Sequence, residues 1–374
     1  MAQRQITLSQ ITGAMVRAPE CSDDRLARVL RLLSDDSRWT AFASALNQPL
    51  VRVYDLKAAR VHVESTSART YAGGSEDGLF QCGHSKDHRP DLPQVKGMQA
   101  VLDPLGMPLA TDGVSGNRAD DPLSGPCIER VQTSVERRGL WSVGACTMAA
   151  RETRAWMARH GASSLCPLPQ VPLAEGALDA ALEALERGEV TLRSVDRESD
   201  DGEPELMATG YERQVPRTLE TKGASQGWTE RRLVVRSLRQ AKAAEASLRT
   251  RVAQAQAQVE ALHQRGRGRT RFEEIEEWRQ AAHAIVQRHQ VEDCLWWRYE
   301  PQCTSRPVRA YRDREAGVEI ERQATIEVRV DAEALALAVS RWGWRVYGTH
   351  QPREPLSLEQ AVLAYRSAYL VERR

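Results

Sequence analysis

Residues 94–116 read QVKGMQAVLDPLGMPLATDGVSG, two alternating segments separated by Pro-Leu-Gly at 104–106. Apolar and polar side chains alternate along each segment, as they do in strands that bury one face, and the turn residues favour a sharp reversal. The stretch therefore predicts a β-hairpin. RVHVES (60–65) alternates in the same way and predicts a strand that precedes this hairpin.

The segments that follow the hairpin predict further strands and helices. LWSVGAC (140–146) and SSLCPLP (163–169) are short apolar runs, and TMAARETRAWMARHG (147–161) between them predicts a helix that ends at its glycine. Strand, hairpin, helix, strand, helix, strand is the order of an α/β domain with a mixed sheet. We assign residues 50–169 to the first part of this domain.

Residues 1–49 precede the first strand and predict a helical arm. One helix begins at Ser22, with aspartates in its first turn and leucines and valine at helical spacing (Leu26, Val29, Leu30, Leu33). A second helix carries Trp39, Phe42, Ala43 and Leu46 at the same spacing.

Residues 170–340 predict an inserted α+β subdomain. It opens with a helical stretch (173–187) and a loose acidic segment, followed by a helical hairpin over 230–291 with RGRGR (265–269) at its tip. An apolar seam with heptad spacing marks the first helix from about Glu230 to His263; its members are Leu238, Ala241, Leu248, Val252, Ala255, Val259 and Leu262. The second helix turns Phe272, Ile275, Trp278, Ala282 and Ile285 inward.

Alternating segments then predict strands at 307–313 and 317–331, and residues 341–374 predict a return to the first domain. This last part holds one strand at 344–350 and one helix from Ser357 to Arg374.

The amino-acid composition limits which partners and which cellular compartment we expect. Lys+Arg number 52 and Asp+Glu 51, so net charge does not indicate a polyanion partner. The stretch 231–271 is locally rich in arginine, which suits either phosphate contact or a solvated helix face. Seven cysteines without a C-x-x-C pair, and the lack of a signal peptide or long apolar run, predict a cytoplasmic protein with no membrane partner.

Few residues suggest chemistry on their own. Glu64 lies mid-strand, which suggests either a metal ligand or an edge-strand glutamate that points to water. The segment containing Cys82, His84 and His88 lacks an evident fourth zinc ligand. Its Lys86 and Arg89 suit phosphate contact better.

Two pairs of adjacent residues could belong to a site but also have a structural interpretation. Asp120 and Asp121 are typical of a turn and helix cap around Pro122. Trp296 and Trp297 could stack on bases, but adjacent aromatics more often divide between core and rim.

Several segments together resemble a family. GLFQCGHSKDHRPDLPQVKGMQAVLDPLGMPL, VSGNRADDPL, GLWSVGACTMAARETRAWM, GWRVYGTHQP and LSLEQAVLAYRSAYLVER are similar, in order, to bacterial insertion-sequence transposases of the DDE class with a large insertion before the last acid. The resemblance covers roughly 22–374. It implies a ribonuclease-H-like fold, two Mg²⁺ ions held by Asp, Asp and Glu, double-stranded DNA at the element ends as partner, and a homodimer.

The family pattern can be compared with this chain position by position. Glu64 takes the place of the first acid, Ala145 stands at the second, and Glu372 follows Tyr365 by the spacing expected of the third. The chain therefore resembles a degenerate, C-terminally truncated copy with impaired catalysis. The alternatives are an active transposase with a substitute ligand such as Asp112 or Asp120, and a non-catalytic DNA-binding remnant.

The resemblance and the charge pattern also predict which residues contact DNA. They are Lys86, Arg89, Arg265, Arg267 and Arg269.

Overall fold

A computed structural model describes residues 9–10, 13–57, 59–136, 140–169, 177–199, 201–221, 224–264, 274–309, 317–354 and 356–367. The helices in these ranges are α1 (Asp23–Leu33), α2 (Asp36–Val53), α3 (Ser124–Val135), α4 (Arg151–Arg159), α5 (Ala177–Glu186), α6 (Leu238–Glu260), α7 (Ile275–His289), α8 (Ala332–Ser340) and α9 (Leu358–Ser367).

The strands are β1 (Arg60–Arg69), β2 (Gln94–Leu102), β3 (Met107–Ser115), β4 (Trp141–Gly144), β5 (Ser163–Pro167), β6 (Arg193–Glu198), β7 (Pro204–Thr221), β8 (Ala224–Ser237), β9 (Leu295–Val308), β10 (Gly317–Val330) and β11 (Trp344–Thr349). The chain is therefore a mixed α/β protein, as the alternating pattern predicts.

The chain divides into two compact units. Unit 1 comprises Met1–Pro169, Glu212–Leu233 and Val346–Arg374, and unit 2 comprises Gln170–Tyr211 and Val234–Arg345. The first break follows β5, where the sequence predicts the start of an insertion. Residues 212–233, which the sequence assigns to the insertion, pack with unit 1.

A large mixed sheet has the strand order β3-β2-β1-β4-β5-β11-β8-β7-β6. β2 pairs antiparallel with both β1 and β3, which confirms the predicted hairpin. β4 runs parallel to β1, and β5 runs parallel to β4. A parallel neighbour needs a crossover connection, and α3 and α4 supply these two connections.

The core of unit 1 lies between this sheet and its helices. Val61 and Val63 of β1 are at most 1% exposed, and Ile128 and Val131 of α3 are buried as well. α9 also joins this core: it contacts β4 and β5, and its Tyr365 ring lies 4.9 Å from that of Tyr347 on β11.

The two predicted helices of the arm are present, and α2 is fixed to the domain by a polar side chain. Asn47, buried, donates hydrogen bonds to the Leu109 carbonyl (2.8 Å) and to Ser134 Oγ (2.7 Å). The apolar face predicted on α1 is exposed, with Leu30 68% accessible. Helical spacing therefore predicted the helix but not the burial of its face.

Unit 2 contains the predicted helical pair. Leu248, Val252, Ala255 and Val259 of α6 belong to a buried cluster that also includes Ala282, Ile285 and Val286 of α7. Arg251 Nη1 donates to the carbonyl of His289 (2.9 Å), so the end of α7 lies beside the middle of α6. The seam is confirmed, and the tip RGRGR lies outside the described residues.

The predicted start of the first helix is wrong. Residues 230–237 continue β8, and α6 begins only after Ser237, whose side chain accepts from the backbone N–H of Gln240 (3.4 Å). The run RRLVVRS contains β-branched valines that suit a strand. Arg231 and Arg232 in this run are buried because each pairs with a glutamate. The heptad spacing of apolar residues gives no information about such pairs.

The acidic segment, predicted to be loose, begins with a strand. Residues 193–198 form β6 and pair antiparallel with β7. β9 starts at Leu295, earlier than predicted, and pairs with β10 through Leu295↔Val330. Trp297 packs against the buried cluster of unit 2 whereas Trp296 is 47% exposed, so this pair divides between core and rim.

Candidate functional site

The candidate site lies at the carboxyl end of β4, beside the middle of β1. The parallel register pairs Val63 with Gly144, and Glu64 and Ala145 are the next residue on each strand path. Ala145 remains extended (φ −71°, ψ −176°) before the turn Cys146–Ala149. Two positions 81 residues apart in the chain therefore each follow the last pair of the β1–β4 ladder.

Gly144 allows this close approach. A Cβ at this position would overlap the Met148 side chain and lie 3.1 Å from the Val63 carbonyl oxygen. A larger residue would therefore push β4 away from β1 or displace Met148. This constraint fixes the backbone immediately before Ala145.

Glu64 occupies a central strand. β1 has β2 on one side and β4 on the other, and Glu64 is directly opposite Gln99 of β2. Its side chain is half-buried. β1 is therefore not an edge strand of the sheet, although its ladder with β4 ends at Val63, one residue before Glu64.

Beside Glu64, two lysines converge on one aspartate. Lys96 Nζ lies 2.8 Å from Asp120 Oδ1, and Lys86 Nζ lies 3.4 Å from Asp120 Oδ2. Lys86 also donates to Ser65 Oγ (2.6 Å) and to the Ser65 carbonyl, and Ser65 Oγ donates to Asp120 (3.3 Å). These four residues form what we call the Asp120 cluster.

In the Asp120 cluster one carboxylate is shared by two ammonium groups. Burial raises the pKa of Asp120, but the hydrogen bonds and charges of Lys96 and Lys86 outweigh it and leave the pKa below its usual value. The side chain of Lys96 is 4% exposed, and burying an ammonium group is costly unless a carboxylate pairs with it. Asp120 therefore serves as the counter-ion of two lysines.

The turn at 120–121 also anchors the start of α4. Thr153 Oγ1 donates to the Asp121 carbonyl (3.0 Å). Burial raises the pKa of the Asp121 carboxyl, and the nearby charges of Asp120 and Glu152 raise it further. The predicted turn is present, with Asp121–Leu123 as one turn of 3₁₀ helix ahead of α3, but the predicted helix cap is wrong, because neither helix start has a side-chain capping hydrogen bond.

The two described residues predicted to contact DNA both have carboxylate partners. Lys86 belongs to the Asp120 cluster, and Arg89 forms two hydrogen bonds to Asp91 (2.8 and 2.7 Å). These bonds raise the pKa of Arg89, whose side chain is 43% exposed. Arg265, Arg267, Arg269 and Glu372 lie outside the described residues.

The arginine-rich stretch is used largely inside the protein. Arg231 pairs with Glu212 (2.7 Å), Arg236 donates to the carbonyls of Trp342 (3.1 Å) and Val339 (3.0 Å), and Arg251 binds the end of α7. Each of these guanidinium groups satisfies acceptors of the same unit. This part of 231–271 therefore does not form a continuous phosphate-binding face.

The other ligand candidates are dispersed or paired. Cys82 is exposed, and His88 has φ +57° in its turn. Asp112 on β3 lies 3.8 Å from Arg130 Nη2. Within the described ranges, no group of three His, Cys, Asp or Glu side chains could hold a metal ion.

Sequence reasoning did not identify Ser65 or Lys96. The available signal was the position of Lys96 in QVKGMQAVL, where a charged residue interrupts a strand that is otherwise mostly buried. A lysine at such a position requires a partner, and GNRADDPL supplies it through Asp120.

No protein-family model and no curated protein matches this chain. The resemblance therefore rests on the quoted motifs and on the geometry of their residues. No described helix is long and apolar enough to cross a membrane.

Proposed function

We propose that the chain is a transposase-derived protein of the DDE class with a ribonuclease-H-like domain, and that it binds DNA without cleaving it. The observation that carries the proposal is the register of β1 and β4. It pairs Val63 with Gly144, so Glu64 and Ala145 are the next residue on each strand path, at the positions where the family pattern requires two acids. The strand order β3-β2-β1-β4-β5 supports the ribonuclease-H-like assignment.

The residues at this end do not fit a two-metal centre. Mg²⁺ requires several hard oxygen ligands in near-octahedral geometry, and two ions must share carboxylates from both strands. Glu64 contributes one carboxylate, and Ala145 contributes a methyl group. A carboxylate at Glu372 could complete the third position but not the second. We therefore derive no metal-dependent step for this chain.

The active-enzyme alternative needs a substitute acid. Asp120 is one candidate, but its two oxygens each face a lysine ammonium group. Asp112 lies beside Arg130, on the far side of β2 from β1. A ligand that must first lose one or two cationic partners is a poor replacement for a free aspartate.

DNA binding and cleavage can be measured separately. We expect the purified chain to shift a duplex oligonucleotide in an electrophoretic assay, with an affinity that falls steeply as salt increases. With Mg²⁺ or Mn²⁺ the same duplex should remain intact. Nicking by the unmodified chain that Glu64→Gln abolishes would reject the proposal in favour of an active transposase.

A further inference from the structure

A second charged cluster surrounds Glu230 in unit 1. Glu230 lies on β8, is fully buried, and contacts three guanidinium groups. Arg154 of α4 pairs with Oε2, Arg232 Nε donates to Oε1 (3.1 Å), and Arg217 Nε of β7 lies 3.9 Å from Oε1. One carboxylate is therefore shared by three cations.

Further arginines increase the positive charge at this place. Burial lowers the pKa of Arg217, and the positive charges of Arg151 and Arg213 lower it further. Both of these arginines are exposed, and neither forms an ion pair with a residue that the structure describes. Arg217 Nε is buried and has no hydrogen-bond partner in the described chain.

The negative charge nearby does not balance this set. Among the described residues, Glu230 pairs with Arg154, Arg217 and Arg232, and the charge of Glu152 acts on Arg154, whereas Arg151 and Arg213 add two further positive charges. Guanidinium groups held close together repel one another unless an anion lies between them. Arg154, Arg217 and Arg232 contact Glu230, whereas Arg151 and Arg213 are exposed.

We propose that Arg151, Arg213 and Arg217 bind phosphate groups of a DNA strand, with Glu230 fixing the inner arginines that support them. The proposal rests on the proposed function for the identity of the polyanion. Phosphate fits because a guanidinium group presents parallel N–H donors that match two phosphate oxygens. The surface is formed by α4, β7 and β8, and its three arginines are not among the residues that the sequence predicts to contact DNA.

The test replaces the two exposed arginines together. The test variant combines Arg151→Gln and Arg213→Gln. The control variant combines Arg187→Gln and Arg197→Gln, which replace two exposed arginines that already pair with glutamates. Binding of the full chain to a fluorescent duplex is measured by anisotropy across a salt series. Thermal unfolding of each variant checks that the fold is retained.

We expect the double variant at 151 and 213 to bind about tenfold more weakly or worse at low salt. The slope of log Kd against log salt should decrease by about 0.9 for each phosphate that the variant no longer neutralises. The control pair should keep the slope of the unmodified chain. Equal slopes in all three proteins would overturn the arginine site while leaving DNA binding intact. An unmodified chain that binds no duplex would reject the proposed function together with this site.

Discussion

At the scale of single residues, charge pairing governs most of the polar side chains near the candidate site. Lys86 and Lys96 bind Asp120, and Arg154, Arg217 and Arg232 bind Glu230. Each arrangement leaves one carboxylate between several cations. Removing the carboxylate would therefore leave buried positive charge without a counter-ion.

Glu230→Gln tests the strength of this pairing. Breaking a buried ion pair by removing one partner typically costs about 3–5 kcal/mol, so we expect a loss of unfolding free energy of that order. Glu205→Gln removes the partner of Arg197 from an exposed pair and should cost less than about 1 kcal/mol. Urea denaturation measures both, and equal losses would contradict the role of Glu230.

His62 predicts a dependence of stability on pH. Burial, and to a lesser extent the charge of Arg60, lowers its pKa to about 4, although His62 Nε2 lies 3.4 Å from Asp103 Oδ1, on a carboxylate that also pairs with Arg60. Because the folded-state pKa lies below the ordinary value of 6.5, the unfolded chain takes up the proton first. The stabilising contribution is complete above about pH 6.5 and is lost as pH falls toward about 4.

Urea midpoints at about pH 7, 6 and 5 measure this effect. One such histidine changes the free energy of unfolding by up to about 1.4 kcal/mol per pH unit. His62→Leu should reduce the slope of unfolding free energy against pH by about that amount. His350, whose pKa burial also lowers to about 4, should retain its own contribution. An exposed control, His263→Leu, should leave the slope unchanged; an unchanged slope in His62→Leu would refute the prediction.

At the scale of elements, the spacing of apolar residues predicted the helices and strands whose buried faces can be read from their own sequence. The seam of α6 was predictable because Leu248, Val252, Ala255 and Val259 recur with the helical period and are buried. β8 was not, because a strand containing two buried arginines depends on partners elsewhere in the chain. β1 to β5 were predictable because their apolar patterns and the turn residues near them are visible in the local sequence.

The α6–α7 packing predicts a large effect of truncating a buried side chain. Leu248 is 2% exposed within the cluster of unit 2, so Leu248→Ala should destabilise the protein by about 2–5 kcal/mol. Leu337→Ala makes the same chemical change on α8 at a site that is 53% exposed. It should cost about 1 kcal/mol or less. Chemical denaturation that gives equal losses for the two variants would contradict the packing described.

At the scale of the whole molecule, the candidate site depends on segments that are distant in sequence. Motif spacing predicted that Glu64 and Ala145 belong together, and each of these positions follows the last pair of the parallel β1–β4 ladder. The counter-ions could not be predicted in this way. Ser65, Lys86, Lys96 and Asp120 meet only because β1, β2 and two loops converge, and the Glu230 cluster requires residues 212–233 to pack with α4.

The central claim is that position 145 is the vacant acidic position beside Glu64. The direct test is to measure Mn²⁺ binding to the Ala145→Asp variant by electron paramagnetic resonance. Ala150→Asp is the control, because it adds a carboxylate five residues later. We predict that Ala145→Asp binds Mn²⁺ at least about tenfold more tightly than the unmodified chain or the control, and that adding Glu64→Gln removes the gain. No gain in Ala145→Asp, or a gain that persists without the Glu64 carboxylate, would contradict the account.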